Sequence, residues 1–130
     1  MHIEPTSEQL TTFASTDGSE PLFMLNLLRF RDVAEGSDTE SGFDAYVRYA
    51  TLTEPHLARV GAEVQWAGIC DAALIGPGDP EWHVAAVVRY PSRAAFLAMV
   101  SDAEYLEVSK IRSASLEDSR LIPCAQTSIG

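Results

Sequence analysis

The sequence predicts an α+β fold in which helices cover one face of a four-stranded antiparallel sheet. Segments with strand-like and helix-like apolar periodicity follow one another in the order β-α-β-β-α-β, after one short additional helix. This order is that of the split βαβ, or ferredoxin-like, arrangement, whose first and third strands are central. Those two segments, PLFMLNLLRFRD and WHVAAVVRY, are also the ones that are apolar on both faces.

The first helix and strand follow from local signals. In TSEQLTTFAS, residues 6–15, Thr6 and Gln9 have the spacing of a capping box, so a short N-terminal helix is expected. Glycine and proline end it, and an apolar strand follows over 22–30. We therefore predict a helical extension over residues 1–20, followed by the core of the fold.

The second helix is predicted to begin after a polar loop, residues 31–42, where Ser41 provides an N-cap. Apolar residues then recur at helical spacing. Pro55 is expected to end or kink this helix near Thr53, because proline lacks the backbone N–H that a helix uses. The apolar stripe continues beyond it, and Gly61 is a suitable C-terminal stop.

The second half of the core repeats the pattern. We expect an extended segment over 62–76, a hairpin connection at GPGDPE and a strand over 82–90. A helix over 92–100 follows, then a further helical turn capped by Asp102, and a last strand over 119–125. Pro123 suits that strand because an edge strand tolerates a missing N–H. The core then spans residues 21–125 of a single domain, 1–130.

Composition and charge restrict the class of protein. The 130 residues are 46% hydrophobic and 22% charged, which suits one globular domain. The formal net charge of −10 repels phosphate backbones, so nucleic acid is not an expected partner. No run approaches the ~20 apolar residues of a membrane span. The N-terminus has no secretory-signal pattern, so a cytoplasmic protein is expected.

The two cysteines are predicted to remain free. Cys70 and Cys124 are far apart in the sequence, form no CxxC pair, and fall on opposite edges of the predicted sheet. Dedicated metal, nucleotide or covalent-nucleophile chemistry is not expected either, because HExxH, a phosphate-binding loop, GxGxxG and G-x-S-x-G are all missing from the sequence.

Both faces of the sheet are expected to be apolar. We expect the helices to cover one alternating set of the first strand: Phe23, Leu25 and Leu27. The second face would carry the other set: Met24, Asn26, Leu28 and Phe30. An antiparallel sheet with one face in water should be polar on that face, and this one is not. A second copy of the chain is the expected cover, so the sequence predicts a homodimer.

Five segments together resemble the domain-of-unknown-function 1330 family: MLNLLRFR, FDAYVRYA, ALIGPGDPEW, VVRYPSRAAFLAMVSDAEY and LEDSRLI. The resemblance runs from about residue 21 to 124. It implies a dimeric α+β barrel and no established reaction. The wider superfamily includes cofactor-free monooxygenases acting on polycyclic phenols, haem-degrading oxygenases, lactone isomerases and non-catalytic stress proteins.

The superfamily resemblance also implies site residues. In its oxygenase branches, an asparagine on the first strand and a nearby tryptophan line the cavity, and Asn26 and Trp66 correspond to them by strand position. The haem-degrading branch carries a histidine ligand on the helix after the third strand. Residues 92–116 contain no histidine, so haem is not expected, and no other cofactor is.

Asn26 and His83 are the candidate catalytic residues. The Asn26 amide could stabilise a developing oxyanion, or it could be a buried amide bonded to the backbone or to the partner. His83 could act as a general base, or it could simply be hydrogen-bonded.

Four residues are candidates for substrate binding. Trp66 could wall an aromatic ligand, or pack in the dimer interface. Tyr49 could donate to a ligand at the cavity rim, or face the core. Arg29 and Arg120 could bind a substrate carboxylate, or pair with neighbouring acidic residues.

Two functions remain open. In the first, a small apolar cavity between sheet and helices binds a carbonyl-bearing or aromatic metabolite, with cofactor-independent oxygenation, isomerisation or enolisation as the possible chemistry. In the second, the domain is a non-catalytic dimerisation module with a structural or stress-response role. An enclosed void beside Asn26 favours the first. An interior filled by Phe30, Trp66 and Tyr90 favours the second.

Overall fold

The computed structural model describes residues 1–16, 18–79 and 81–129. Its elements are α1 (Ser7–Ser15), β1 (Leu22–Phe30), α2 (Gly42–Arg59), β2 (Glu63–Ile69), β3 (Val84–Tyr90), α3 (Arg93–Val100), α4 (Ala103–Ser115) and β4 (Leu116–Cys124). They follow the predicted order, but the single helical turn expected after Asp102 is a helix of 13 residues, α4. The predicted α+β fold is therefore confirmed.

The sheet has the strand order β2-β3-β1-β4, and all three pairings are antiparallel. The two strands that are apolar on both faces, β1 and β3, are thus central, as predicted. Pro123 lies on the edge strand β4, opposite Met24. Cys70 follows the other edge strand, β2, and Cys124 ends β4, so the two free cysteines lie on opposite edges.

Capping side chains set the starts of all four helices. The Thr6 hydroxyl accepts from the Gln9 N–H at 3.1 Å, and the Gln9 side chain accepts from the Thr6 N–H at 2.9 Å. This reciprocal pair is the predicted capping box. At α2, α3 and α4 the side chains of Ser41, Ser92 and Asp102 accept hydrogen bonds from backbone N–H groups of the first turn, without the reciprocal bond.

The alternative that Pro55 ends the second helix was wrong, whereas a kink at this residue stays a prediction. Helix α2 continues through Pro55 to Arg59. Pro55 lies on the exposed side of α2, while Leu57 and Val60 pack against the main core cluster. Their burial stabilises the last turn of the helix and offsets the hydrogen bond that proline cannot donate.

Helix α2 ends where the glycine signal predicted. Gly61 has a φ of 75°, a conformation that costs other residues about 1–2 kcal/mol. The Gly61 N–H donates to Ala58 O at 3.1 Å, and the Ala62 N–H donates to Leu57 O at 2.9 Å. This pair of bonds is a Schellman motif, and it satisfies the last carbonyls of the helix.

The connection between β2 and β3 is longer than predicted. β2 ends at Ile69, whereas an extended segment was expected over 62–76, and β3 begins at Val84. Residues 70–83, here called the arm, connect them, and the Cys70 N–H donates to His83 O at 2.9 Å across the base of the arm. Pro80, in the predicted GPGDPE hairpin, lies outside the described residues. β4 also begins three residues earlier than expected.

The helices cover the face of the sheet opposite to the one predicted. On β1 the residues buried under the helices are Leu22, Met24, Leu28 and Phe30. We call this side the helix face, and the side carrying Phe23, Leu25, Leu27 and Arg29 the open face. The β1 residues of both faces are mainly apolar, so the hydrophobic periodicity of the sequence did not predict which face the helices cover. The hand of the β1-α2-β2 crossover decides which face receives the helices.

The main core cluster lies between the helix face and the helices: Leu22, Met24, Tyr49, Ala62, Tyr90, Phe96, Met99 and Tyr105. Helix α1 packs onto the same side, with the Phe13 and Phe96 rings 5.3 Å apart. The N-terminal extension therefore leaves the open face uncovered. Across the described parts of the chain, no helix combines the length and apolarity needed to cross a membrane.

Candidate functional site

A groove of about 350 Å³ opens where β1 ends and α2 begins. Its walls are mainly apolar and its rim is polar. It is lined by Phe30, Arg31, Asp32, Ser41, Phe43, Ile69, His83 and Val84. The groove lies at the helix-face side of the sheet, since Phe30 and Val84 belong to that face.

The backbone around it holds His83 in a defined orientation. Its Nδ1 accepts from the Phe30 N–H at 3.0 Å, and its own N–H donates to Leu28 O at 2.8 Å. The imidazole also stacks on the Phe30 ring, with centroids 5.8 Å apart. Because Nδ1 is an acceptor, the neutral ring carries its proton on Nε2.

The free nitrogen of His83 is therefore a hydrogen-bond donor. Within residues 1–16, 18–79 and 81–129, no protein group bonds to Nε2. A neutral imidazole in this tautomer cannot take a proton at Nε2. The lone pair of Nδ1 already accepts the hydrogen bond from the Phe30 N–H. This geometry favours a donating role over that of a general base.

Aromatic rings lead from the groove into the interior. Phe30 contacts both Phe43 and Tyr46, with ring centroids 5.5 and 5.4 Å apart. Tyr46 in turn lies 5.2 Å from Tyr49. Phe30 thus separates the open groove from a layer of tyrosines beneath the sheet.

Unpaired polar groups are buried between α2 and α4. The Tyr49 and Tyr105 hydroxyls are 2.6 Å apart, and both residues are buried. Two phenol protons share one hydrogen bond, so one proton has no acceptor among the residues described. Thr53 Oγ1, buried on the same face of α2, also has no partner there. Buried polar groups are ordinarily paired, so these hydroxyls are unusual.

His56 belongs to the same region. Its ring packs edge-on against Tyr105, with centroids 5.8 Å apart, and the residue is buried. From the sequence, a histidine that follows Pro55 on a helix is expected at the surface, and the burial of His56 shows that this expectation is wrong. The signal that could have found it is its spacing of seven from Tyr49, which puts both residues on one helical face.

Burial raises the pKa of the tyrosines. It raises the pKa of Tyr46 to about 12, with a further contribution from nearby Tyr49, while Arg112 acts in the opposite direction. Burial also raises the pKa of Tyr90 and of Tyr105. These phenols are therefore neutral hydrogen-bond donors at physiological pH.

The open face is apolar along its centre. One row across the four strands is formed by Trp66, Val87, Leu25 and Ile122. The next row is formed by Gly68, Ala85, Leu27 and Arg120. Trp66 is 59% exposed, and its indole lies over Gly68, where an added Cβ would be 2.6 Å from Trp66 Cζ2. The face is thus apolar across these two rows except at Arg120, which lies on the edge strand β4.

The predicted site residues do not converge on one place. Trp66, Arg29 and Arg120 lie on the open face, Tyr49 lies in the core, and His83 lies in the groove. Asn26 lies on the helix face between Ala86 and Leu121, and its Nδ2 donates to Met24 O at 3.2 Å. It does not line the groove.

Both arginines contact acidic neighbours. Arg29 Nε lies 3.1 Å from Glu117 Oε2, and Arg120 Nη1 lies 2.9 Å from Asp118 Oδ1. The hydrogen bond from the His2 N–H, followed by those from the Arg120 side chain and the Ser119 N–H, lowers the pKa of Asp118. These are the structural pairings that the sequence left open as an alternative to substrate binding. In the part of the chain described, no three histidine, cysteine or acidic residues are arranged to hold a metal.

Comparisons with known proteins identify relatives of this chain. The model of the domain of unknown function DUF1330 matches residues 39–123, well over half of the chain. A crystal structure of RPA0582, a protein of unknown function from Rhodopseudomonas palustris, is 40% identical. The match covers 98% of both chains with a TM-score of 0.92. No match was found among curated proteins.

Two more distant structures share the fold alone. A dimeric protein of unknown function from Bacteroides fragilis, with a ferredoxin-like fold, is 13% identical; the match covers 80% of this chain and 94% of that one, with a TM-score of 0.53. The hydroxynitrile lyase of Passiflora edulis is 14% identical; the match covers 86% and 98%, with a TM-score of 0.58. These likenesses support the ferredoxin-like architecture.

Proposed function

This chain belongs to the DUF1330 family, and we propose that it is a homodimer that binds a small molecule in the groove beside His83. The observation that carries the proposal is the bond from the Phe30 N–H to His83 Nδ1, which leaves an Nε2–H donor at an apolar groove. The groove volume of about 350 Å³ is within the range of small-ligand sites, about 300–1,000 Å³.

The lining favours a flat ligand that carries one acceptor oxygen. Phe30 and Phe43 provide aromatic walls, and the His83 Nε2–H would donate to a carbonyl or phenolic oxygen. A fixed neutral imidazole donor stabilises negative charge as it develops on such an oxygen. Asp32, also in the lining, is a carboxylate that could accept a proton from the carbon next to the carbonyl.

The chemistry that fits these groups is cofactor-independent enolisation. Asp32 would take the proton, the electron pair would move onto the carbonyl oxygen, and His83 would stabilise the resulting enolate through its hydrogen bond. Returning the proton at another carbon is isomerisation, and attack of the enolate on dioxygen begins oxygenation. In this assignment His83 is the donor and Asp32 the base, while a catalytic role for Asn26 stays a prediction.

Ligand retention tests this function. Purified protein is analysed by mass spectrometry for retained small molecules, and the molecule found is titrated by calorimetry. His83→Ala should weaken its binding about tenfold or more, since one hydrogen bond is lost. His2→Ala is the matched control, because the His2 side chain is exposed and makes no hydrogen bond in the structure. Equal affinities in the two variants, or no bound molecule, would contradict the proposal.

The homodimer is supported by the open face. Its central rows are apolar, and a two-fold axis would bring the same surface of a second copy against them. The Bacteroides fragilis protein with this fold is described as dimeric. We therefore propose that the open faces of two copies pack together.

Sedimentation tests the dimer. The wild-type protein should sediment at twice the chain mass of 14.1 kDa. Leu25→Asp, at the centre of the open face, should shift it to the monomer, because a carboxylate would be buried without a partner. Leu106→Asp is the control, since Leu106 is exposed on α4, away from this face. A wild-type particle of 14.1 kDa at micromolar concentration would refute the dimer.

One observation favours the non-catalytic alternative. Phe30 and Tyr90 are buried, as expected for a filled interior, and Asn26 lies outside the groove lining. Trp66, the third residue expected to fill the interior, instead lies on the open face and is 59% exposed. A dimer that retains no small molecule would support a structural or stress-response module. A cytoplasmic location and the lack of a nucleic-acid partner stay predictions from the sequence.

A further inference from the structure

The arm carries two large apolar residues in full contact with water. Leu74 is 99% exposed and Ile75 is 95% exposed. They follow two alanines in the run AALI, so the exposed stretch is continuous in the sequence. Single exposed apolar residues are common, but adjacent ones at the tip of a protruding loop indicate an interaction surface.

The base of the arm is fastened on the open-face side of the sheet. Arg29 and Arg120 both project from that face. Arg29 Nη1 donates to Glu81 O at 3.1 Å, and the Arg120 guanidinium lies 5.1 Å from the centre of the Trp82 ring. The arm therefore continues the apolar surface of the open face beyond the edge of the sheet.

We propose that the arm is a dimer clasp, in which Leu74 and Ile75 of each copy bind the surface of a second copy of this chain. The inference rests on the proposed homodimer and extends its interface. Continuity with the open face is the reason to assign the second copy as the partner. The groove of the arm's own chain is less suitable, because it lies at the helix-face side of the sheet.

Charge argues against a membrane as the occupant. The arm carries acidic residues on both sides of its apolar run, at Asp71, Asp79 and Glu81, and it contains no lysine or arginine. The whole chain has a formal net charge of −10. Anionic lipid surfaces attract basic segments and repel acidic ones, so an apolar tip in this setting suits a protein surface better.

The clasp would also act on the groove. His83, the last residue of the arm, lines the groove, and so does Ile69, which directly precedes the arm; the Cys70–His83 backbone bond joins the two ends of the arm. A ligand in the groove would therefore lie against the base of the segment that the partner binds. By linkage, a ligand in the groove should then bind the dimer more tightly than the monomer, and should strengthen the dimer by the same factor.

A double variant tests the clasp. Leu74→Ser combined with Ile75→Ser should raise the dimer dissociation constant about tenfold or more in sedimentation at graded concentrations. Leu106→Ser is the matched control and should leave that constant unchanged, since Leu106 is exposed on α4. A double variant with the wild-type constant refutes the clasp but leaves the homodimer standing. A wild-type protein that is monomeric refutes both.

A cross-linking measurement locates the partner directly. With a photoreactive benzoylphenylalanine in place of Leu74, irradiation should give a product of twice the chain mass, and the cross-linked peptide should come from the second copy. A cross-link to the groove of the same chain would mean that the arm is a lid, and would overturn the clasp. The lack of any cross-link would overturn it as well.

Discussion

The two faces of the sheet have nearly the same composition and opposite surroundings. On the helix face Leu28 is 1% exposed and packs with Phe30 and Leu116. Leu27, the next residue, points to the open face and is only partly buried in the single chain. The difference teaches that the apolar character of a strand residue does not by itself show whether the helices of its own chain cover it.

The polar groups divide between the two sides in a similar way. The helix side contains the buried hydroxyls of Tyr49, Tyr105 and Thr53, which no solvent reaches freely. The open face carries Arg29 near the end of β1 and Arg120 on the edge strand β4, and both pair with acidic residues. The helix side is a finished core, whereas the open face has the apolar centre and charged margin of an interface.

The largest expected effect is on the free energy of unfolding when a leucine of β1 is truncated to alanine on one face or on the other. Leu28→Ala should lower the free energy of unfolding by about 2–5 kcal/mol, because it leaves a cavity in a closed core. Leu27→Ala is the matched change on the open face and should cost about 1 kcal/mol in the monomer. Urea unfolding at several protein concentrations measures both. Only the loss of stability caused by Leu27→Ala should grow with protein concentration. If the losses caused by Leu27→Ala and Leu28→Ala depend on concentration in the same way, the contrast between the two faces is contradicted.

Alkaline pH should weaken the helix side selectively. The pKa of Tyr46 is raised from 10.0 to about 12, so the folded state holds its phenol proton more tightly than the unfolded state. This contribution is fully present below pH 10 and is lost as the pH rises toward 12. At about 1.4 kcal/mol per pKa unit, Tyr46 alone should cost about 2–3 kcal/mol there.

Unfolding midpoints in urea between pH 8 and 12 check this prediction. Tyr46→Phe removes the titrating group and should flatten part of the pH dependence, relative to the wild-type protein. A variant that loses stability with pH as steeply as the wild type would show that Tyr46 does not contribute.

A smaller gain in stability is expected from removing the unpaired hydroxyl of Thr53 on the helix side. Thr53→Val keeps the shape of the side chain and removes the buried Oγ1, so it should stabilise the protein by about 1 kcal/mol. Thr51→Val is the control, because the exposed Thr51 hydroxyl already donates to Val47 O at 3.1 Å. Thermal unfolding compares the two. A loss of stability in Thr53→Val would mean that the hydroxyl has a partner after all, such as a buried water.

The smallest effect is expected on the open face at Gly68. An added Cβ would displace the Trp66 indole that lies over this glycine. Gly68→Ala should change the free energy of unfolding of the monomer by less than about 0.5 kcal/mol, as is usual for surface positions. If the open face is the dimer interface, the same variant should raise the dimer dissociation constant about threefold. Unfolding followed by tryptophan fluorescence measures the change in stability, and sedimentation measures the change in the dimer dissociation constant.

The elements were predictable because their signals are local. The capping box at Thr6, the N-cap at Ser41 and the glycine stop at Gly61 each depend on a few neighbouring residues. Pro55 misled the prediction because its local cost is offset by Leu57 and Val60, whose contacts are made with distant elements. The arm was mistaken for strand because its AALI run is apolar, although it makes no ladder.

The candidate site was less predictable for the same reason. His83 acquires its donor role from a bond to Phe30, which is 53 residues away in the sequence. The Tyr49–Tyr105 hydroxyl pair joins residues 56 positions apart. Asn26, by contrast, was selected from its strand position alone, and its amide bonds to a residue two positions away in its own strand.

The sequence by itself determined the order of the elements, the helix starts, the two central strands and the apolar character of both sides of the sheet. Those features depend on periodicity and on side chains that act within a few residues. Only the tertiary structure decided which face receives the helices, which rings meet beneath the sheet and which nitrogen of His83 remains free. These are set by the hand of the crossover and by contacts between distant segments, which no local pattern encodes.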